Sequence, residues 1–91
     1  MADRRTAKAT IVNRLGLHAR PAMTFVDLAT TFKCEVRVAK SDTQVDGKSI
    51  MEMMMLAAGQ GTELEIVCEG DDAESAIKAL KALVDAGFDE E

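Results

Sequence analysis

The alternation of apolar and polar residues changes period along the chain, and each change marks an element. "TAKATIV" (Thr6–Val12) is rich in β-branched residues and has no polar face of helical period, which predicts a strand. "NRLG" (Asn13–Gly16) breaks that pattern as a loop. From Ala19 to about Thr31, Ala22, Phe25, Val26 and Ala29, followed by Phe32, recur at helical spacing and predict an amphipathic helix. "CEVRVA" then alternates, Cys34, Val36 and Val38 on one side and Glu35 and Arg37 on the other, as in a half-buried strand. The polar stretch "KSDTQVDGKS" has room for a short strand around Thr43–Val45.

"SIMEMMMLA" (Ser49–Ala57) predicts a short helix with Ser49 as its N-cap, and the glycines of "AGQGT" suit its C-terminus. "ELEIVCE" alternates again, with Leu64, Ile66 and Cys68 inward. After "EGDD", the stripe Ala73, Ala76, Ile77, Leu80, Leu83 and Val84 predicts a last helix closed by Gly87. The order is β-α-β-β-α-β-α. Strands with polar outer faces leave one side of a sheet in water, which favours antiparallel pairing, and the amphipathic helices cover the other side. The expected fold class is α+β: an open-faced sandwich, a four-stranded antiparallel sheet with three helices on one face, in a single domain over residues 1–91.

Composition narrows the function. Aromatics amount to three Phe, so Ala, Val, Leu, Ile and Met must build the core, with Met54 and Leu56 expected inward from the methionine stretch. Eleven Lys and Arg are scattered among sixteen Asp and Glu, for a net charge of −5, and no basic patch points to nucleic acid. No apolar run approaches the roughly 20 residues of a membrane span. "MADRRTAK" has no apolar stretch behind it, so a secretory signal is not expected and the cytoplasm is the expected location. Cys34 and Cys68 form no CxxC pair and read as reduced core thiols; no metal ligand set is recognisable, and no cofactor is expected.

The only histidine and the only proline lie in one stretch, "RLGLHARPAM" (Arg14–Met23). Pro21 fits the first turn of a helix, where N–H groups have no helical partner, and this sets the helix start near His18. Free N–H groups at a helix start, such as that of Ala19, form an anion site, and Arg20 adds a guanidinium fork suited to phosphate. Gly16 lets the backbone turn tightly before the imidazole. A general base would want an orienting carboxylate and a metal ligand would want partners; neither is evident in the sequence. A nucleophilic nitrogen accepting a phosphoryl group would make use of the anion site. A helix cap or plain surface residue is the other reading of the histidine taken alone.

"GLHARPA" (Gly16–Ala22) resembles the active-site motif of the HPr family, the histidine phosphocarriers of the bacterial phosphotransferase system. Length, element order and a second stretch, "GKSIM" (Gly47–Met51), match as well. The resemblance implies that His18 carries a phosphoryl group on Nδ1, steadied by Arg20, the backbone N–H groups of Ala19 and Arg20, and the Gly16 turn. The donor would be phosphorylated enzyme I, charged by phosphoenolpyruvate, and the acceptors IIA-type proteins. The carrier would be a monomer and a stoichiometric substrate rather than a conventional enzyme. Ser49 matches the serine that an HPr kinase phosphorylates in part of the family, and Ile50 and Met51 would lie beside His18 in the docking patch. "GFDEE" and "MMMLAAGQGT" are equally similar to the nitrogen-related branch, which implies regulatory signalling rather than sugar uptake. The acidic run Asp89–Glu91 reads most simply as a solvated tail. Two other classes remain: a non-catalytic interaction module acting through Ser49 and the Met-rich helix, and a ferredoxin-like small-molecule binder, for which no residue cluster speaks.

Overall fold

The computed structural model describes residues 3–89. Its elements are β1 (Asp3–Thr10), α1 (Ala19–Ala29), β2 (Glu35–Lys40), β3 (Thr43–Asp46), α2 (Ile50–Met55), β4 (Glu63–Gly70) and α3 (Ala73–Asp85), then a tight turn, Gly87–Asp89. The strands form one antiparallel sheet in the order β1-β4-β2-β3, so the predicted open-faced architecture is the observed one. Strand alternation decides which face is covered. Ala7, Ile66, Val38 and Val45 stand in register across all four strands and point into the core. The neighbouring row, Lys8, Glu65, Ala39 and Gln44, is mostly charged or polar and faces out. Each buried Ile, Val or Leu contributes about 1.5–3 kcal/mol relative to exposure, which fixes the register because a one-residue slip would expose the whole row.

Over that face, α3 packs on β1 and β4 through Ala73, Ala76, Ile77, Leu80 and Val84. α1 packs against α2 and α3 through Ala22, Phe25, Val26 and Ala29. Cys34 and Cys68 are buried, as expected, and lie against each other. Burial, with the neighbouring Cys34 sulfur second, pushes the Cys68 thiol up to about 12, and burial likewise raises that of Cys34, so both stay protonated at neutral pH.

The structure corrects several expectations. β1 runs Asp3–Thr10 rather than Thr6–Val12, because its partner β4 extends to Gly70 and pairs with Asp3. Ile11 has left the strand but stays tied to the loop that leads into β4, its N–H donating to the Thr62 carbonyl at 2.9 Å. α1 ends at Ala29, and the hydroxyls of Thr30 and Thr31 donate back to the Asp27 and Leu28 carbonyls. In α2, Met53 rather than Met54 is the core residue: Met53 is fully buried, whereas Met54 is 44% exposed. The last turn tightens, with the Leu56 N–H donating to the Met53 carbonyl at 3.2 Å, and three-residue spacing carries the inward stripe from Met53 to Leu56. No glycine ends α2; Ala57 takes the left-handed position (φ 49°), and Lys40 Nζ donates to the Leu56 carbonyl at 2.8 Å. At the other end, Phe88 is buried beneath the molecule's last turn. Asp89 is exposed, and Glu90 and Glu91 of the acidic run lie outside the described residues.

Two long-range constraints set the helices relative to the sheet. Asp72, the N-cap of α3, turns its carboxylate away from its own helix. Oδ2 accepts from the Lys33 N–H at 2.7 Å and Oδ1 from the Cys34 N–H at 2.9 Å, strapping the start of α3 to the entry of β2. The second is Gly47, where β3 turns towards α2. A Cβ there would meet Val36 Cγ1 at 2.5 Å and Phe25 Cε1 at 3.3 Å, so the lack of a side chain lets this turn sit against the core.

Each constraint has a measurable consequence. The Lys33 N–H bond, followed by the Cys34 N–H bond, holds the Asp72 carboxyl below its ordinary value of 3.8. A depressed folded-state value stabilises the fold above the unfolded value and ceases to do so as pH falls through the folded one. Urea midpoints of Asp72→Ala should therefore lie below wild type at neutral pH, the gap closing as pH falls from about 5 to below 3. Gly47→Ala should lower stability by about 1–3 kcal/mol through overpacking, seen as a reduced Tm.

Candidate functional site

His18 ends the loop between β1 and α1 and is the N-cap of the helix. Its backbone is extended (φ −88°, ψ −169°), and its carbonyl accepts the first helical bond, from the Ala22 N–H at 3.0 Å. The side chain is half-buried. Ala19 and Arg20 are the first two helical residues and are exposed; their N–H groups precede the first helical bond and face the helix entrance. Pro21 follows, buried against the core, at a position where its missing N–H costs no helical bond. The helix start predicted from the sequence is thus the observed one, and it brings together the imidazole of His18, the guanidinium-bearing Arg20 and a helix dipole of favourable sign for an anion.

The loop ahead of His18 is held by a second loop, residues 58–62. The Leu17 N–H donates to the Ala58 carbonyl at 2.8 Å, the Gly61 N–H to the Ile11 carbonyl at 2.8 Å, and Gln60 Nε2 to the Val12 carbonyl at 3.1 Å. Gly16 sits at the crossing. Its φ is +70°, and a Cβ would approach the Ala58 carbonyl oxygen to 2.6 Å and Gly59 Cα to 2.8 Å. Both conditions demand glycine. Gly16 thus shapes the backbone leading to the imidazole, and its own N–H donates to the Asn13 carbonyl at 3.2 Å.

Ser49 is the N-cap of α2, as read from the sequence. Its Oγ accepts from the Glu52 N–H at 3.2 Å, while Glu52 Oε1 reaches back to accept from the Asp46 N–H at 3.0 Å. The spacing is that of a capping box, but the return bond lands three residues before the cap. Ile50 and Met51 open the helix, and Met51 is 78% exposed. Met54 and Met55 on α2, Met23 on α1, and Val12 and Leu15 in the loop ahead of it are exposed apolar side chains as well, and α1 packs against α2.

Sequence reading missed Asn13, the one buried polar residue among the described residues, which appeared only as a loop breaker. Its signal was present as an Asn three residues ahead of a glycine required by the turn. Also missed were Gln60 and Lys40, whose side chains bond backbone carbonyls far away in sequence and leave no local pattern. Among the described residues no three His, Cys, Asp or Glu side chains gather into a metal-holding group. No helix among them is long and apolar enough to cross a membrane. Chemically, the helix start offers a ring nitrogen as nucleophile, N–H groups and a dipole that favour an anion, and the cationic Arg20 in the first turn.

Comparison with known proteins identifies the family. The family model described as the PTS HPr component phosphorylation site matches residues 5–86. The phosphocarrier protein HPr of Pseudomonas aeruginosa is 51% identical over 82 residues, covering 89% of this chain and 91% of that one. The phosphocarrier protein NPr of Shewanella violacea is 39% identical over 83 residues, 91% of each chain. Among solved structures, HPr-C-His from Thermoanaerobacter tengcongensis superposes with a TM-score of 0.91 at 44% identity, covering 96% of this chain and 98% of that one. By its sequence, its sheet order and its helix entrance alike, the chain belongs to the HPr family of the phosphotransferase system.

Proposed function

We propose that this chain is a cytoplasmic, monomeric histidine phosphocarrier that takes a phosphoryl group from phosphorylated enzyme I onto His18 Nδ1 and delivers it to IIA-type proteins. The single observation that carries the reading is the placement of the only histidine at the N-cap of α1, inside the segment matched by the family model. In loading, the N–P bond on the donor imidazole breaks as a new N–P bond forms at His18 Nδ1, and in delivery the His18 N–P bond breaks as the group passes to a nucleophile on the acceptor. The accepting nitrogen supplies its lone pair, so the ring proton sits on Nε2, and the donor ring keeps the released pair. Such a transfer depends mainly on alignment and charge neutralisation. Arg20 and the N–H groups of Ala19 and Arg20 supply the neutralisation, and Gly16 shapes the approach. The chain is consumed and regenerated each cycle, so it acts as a carrier and not as a conventional enzyme.

Ile50, Met51 and the neighbouring methionines form the docking patch in this reading. Unbranched thioether side chains re-pack at little cost, which suits a face that meets a donor and several acceptors in turn. Ser49 beside that patch is the regulatory position, read by an HPr kinase where one is present. A phosphate there would add nearly two negative charges at a helix start that tolerates them, leaving the fold intact while changing the docking face. Two branches share this chemistry. Sugar transport and nitrogen-related regulation differ in the IIA acceptor, and similarity to both HPr and NPr relatives keeps both acceptor classes in the test.

Incubation with active enzyme I and phosphoenolpyruvate should add one phosphoryl group by intact mass, labile in mild acid and absent from His18→Ala. Arg20→Ala should still accept the group, at a rate lower by roughly ten-fold, the worth of one charge-assisted contact. An unmodified wild type, with the same enzyme I charging another carrier, would overturn the carrier reading in favour of an interaction module. With an HPr kinase and ATP, wild type should gain an acid-stable phosphate that Ser49→Ala lacks, with unchanged Tm.

A further inference from the structure

The Gly16 carbonyl receives two donors, Asn13 Nδ2 at 2.8 Å and the His18 N–H at 3.0 Å. It is therefore the point at which the loop and the imidazole-bearing residue are joined. Gly16 is also the softest joint in this loop, since it has no Cβ and a left-handed φ, and an unheld glycine peptide rotates with little steric resistance. The Asn13 amide removes that freedom. Only its NH₂ can face a carbonyl, so its orientation follows from the bond it makes.

Asn13 is itself well anchored. Its backbone carbonyl accepts from the Gly16 N–H at 3.2 Å, closing the turn from the other side, and the residue is buried. The turn that follows α3 lies close to it: a methyl placed on Gly87 would lie 3.4 Å from Val12 Cγ2 and 3.6 Å from Asn13 Cβ. The side chain thus ties the Gly16 peptide, and through it His18, to a buried anchor. A buried amide in this place has no packing advantage over an apolar residue of equal volume, and the bond from Nδ2 to the Gly16 carbonyl offsets part of the cost of burying it.

We infer that Asn13 is the positioning residue of the phosphoryl-accepting site: by holding the Gly16 carbonyl, its side-chain amide sets the orientation in which His18 meets a phosphoryl donor. The inference rests on His18 being the acceptor, but its first test does not. In the unphosphorylated protein, scalar couplings should report one His18 χ1 rotamer for wild type and rotamer averaging for Asn13→Ala and Asn13→Leu. Leucine nearly matches the amide in volume and removes only its polarity, so Asn13→Leu keeps the test open should Asn13→Ala not fold.

With phosphorylated enzyme I as donor, both variants should lose about ten-fold in kcat, the worth of one buried hydrogen bond, with KM unchanged. Asn13→Ser, which retains a hydroxyl donor, should fall between wild type and Asn13→Leu. A purely structural role would lower Tm and leave rotamer and kcat at wild-type values in the folded fraction. That result, or a loss confined to KM, would overturn the inference. A wild type that takes no phosphoryl group would overturn the carrier reading instead, and the rotamer measurement would still decide the role of Asn13.

Discussion

The backbone contact between Gly16 and the Ala58–Gly59 segment is the constraint from which the rest of the site follows. The two loops that meet there belong to different ends of the chain's topology, one leaving β1 and the other entering β4, and these strands are neighbours in the sheet. Pairing of β1 with β4 brings the loops together, and only a residue without a Cβ allows them to touch. Once they do, the Leu17 N–H and the Ala58 carbonyl satisfy each other at 2.8 Å, and the start of α1 is delivered to a fixed place above the sheet. The hydrophobic layer supplies the driving force, but this contact sets the direction of the helix entrance.

Around that contact the molecule repeats one device, a polar side chain satisfying backbone groups of a distant segment. Asp72 accepts from two successive N–H groups at the entry of β2, Lys40 donates to the last carbonyl of α2, Lys48 Nζ donates to the Phe32 carbonyl at 2.7 Å, and Gln60 reaches Val12. A domain of this size buries a limited apolar area, and loops on its rim have backbone groups that no ladder serves. These bonds fasten the rim without enlarging the core. The surface ion pairs, such as Lys81 with Asp85, are exposed and contribute little by comparison.

Much of this was legible in the sequence, for reasons that differ by element. The core faces of β2, β4 and α3 were readable because burial on one side forces a period, and the start of α1 because proline permits few positions. The capping positions of His18 and Ser49 and the first-turn position of Arg20 were readable because the residues that define them lie within a few positions. The inward methionine of α2 was misassigned to Met54 because a six-residue helix that tightens in its last turn departs from the period used to read it. Ala57 in place of a glycine could not be foreseen, since its left-handed backbone is sustained by tertiary contacts. Phe88 lay in a segment that looked like a charged tail, and only the fold shows the space it fills. Asn13 acts through a carbonyl whose importance exists only once two loops have met.

The distribution of sulfur has a chemical consequence. Both thiols are buried and raised in pKa, so the sulfur atoms that ordinarily react fastest with oxidants are sheltered. The exposed sulfurs are thioethers, Met51 and Met55 foremost, both on α2. Peroxide would convert them to sulfoxides, turning an adaptable apolar surface polar while leaving the core and the imidazole unaltered. On the docking role proposed for these methionines, oxidative damage would be read first as a loss of recognition, and the fold would outlast it.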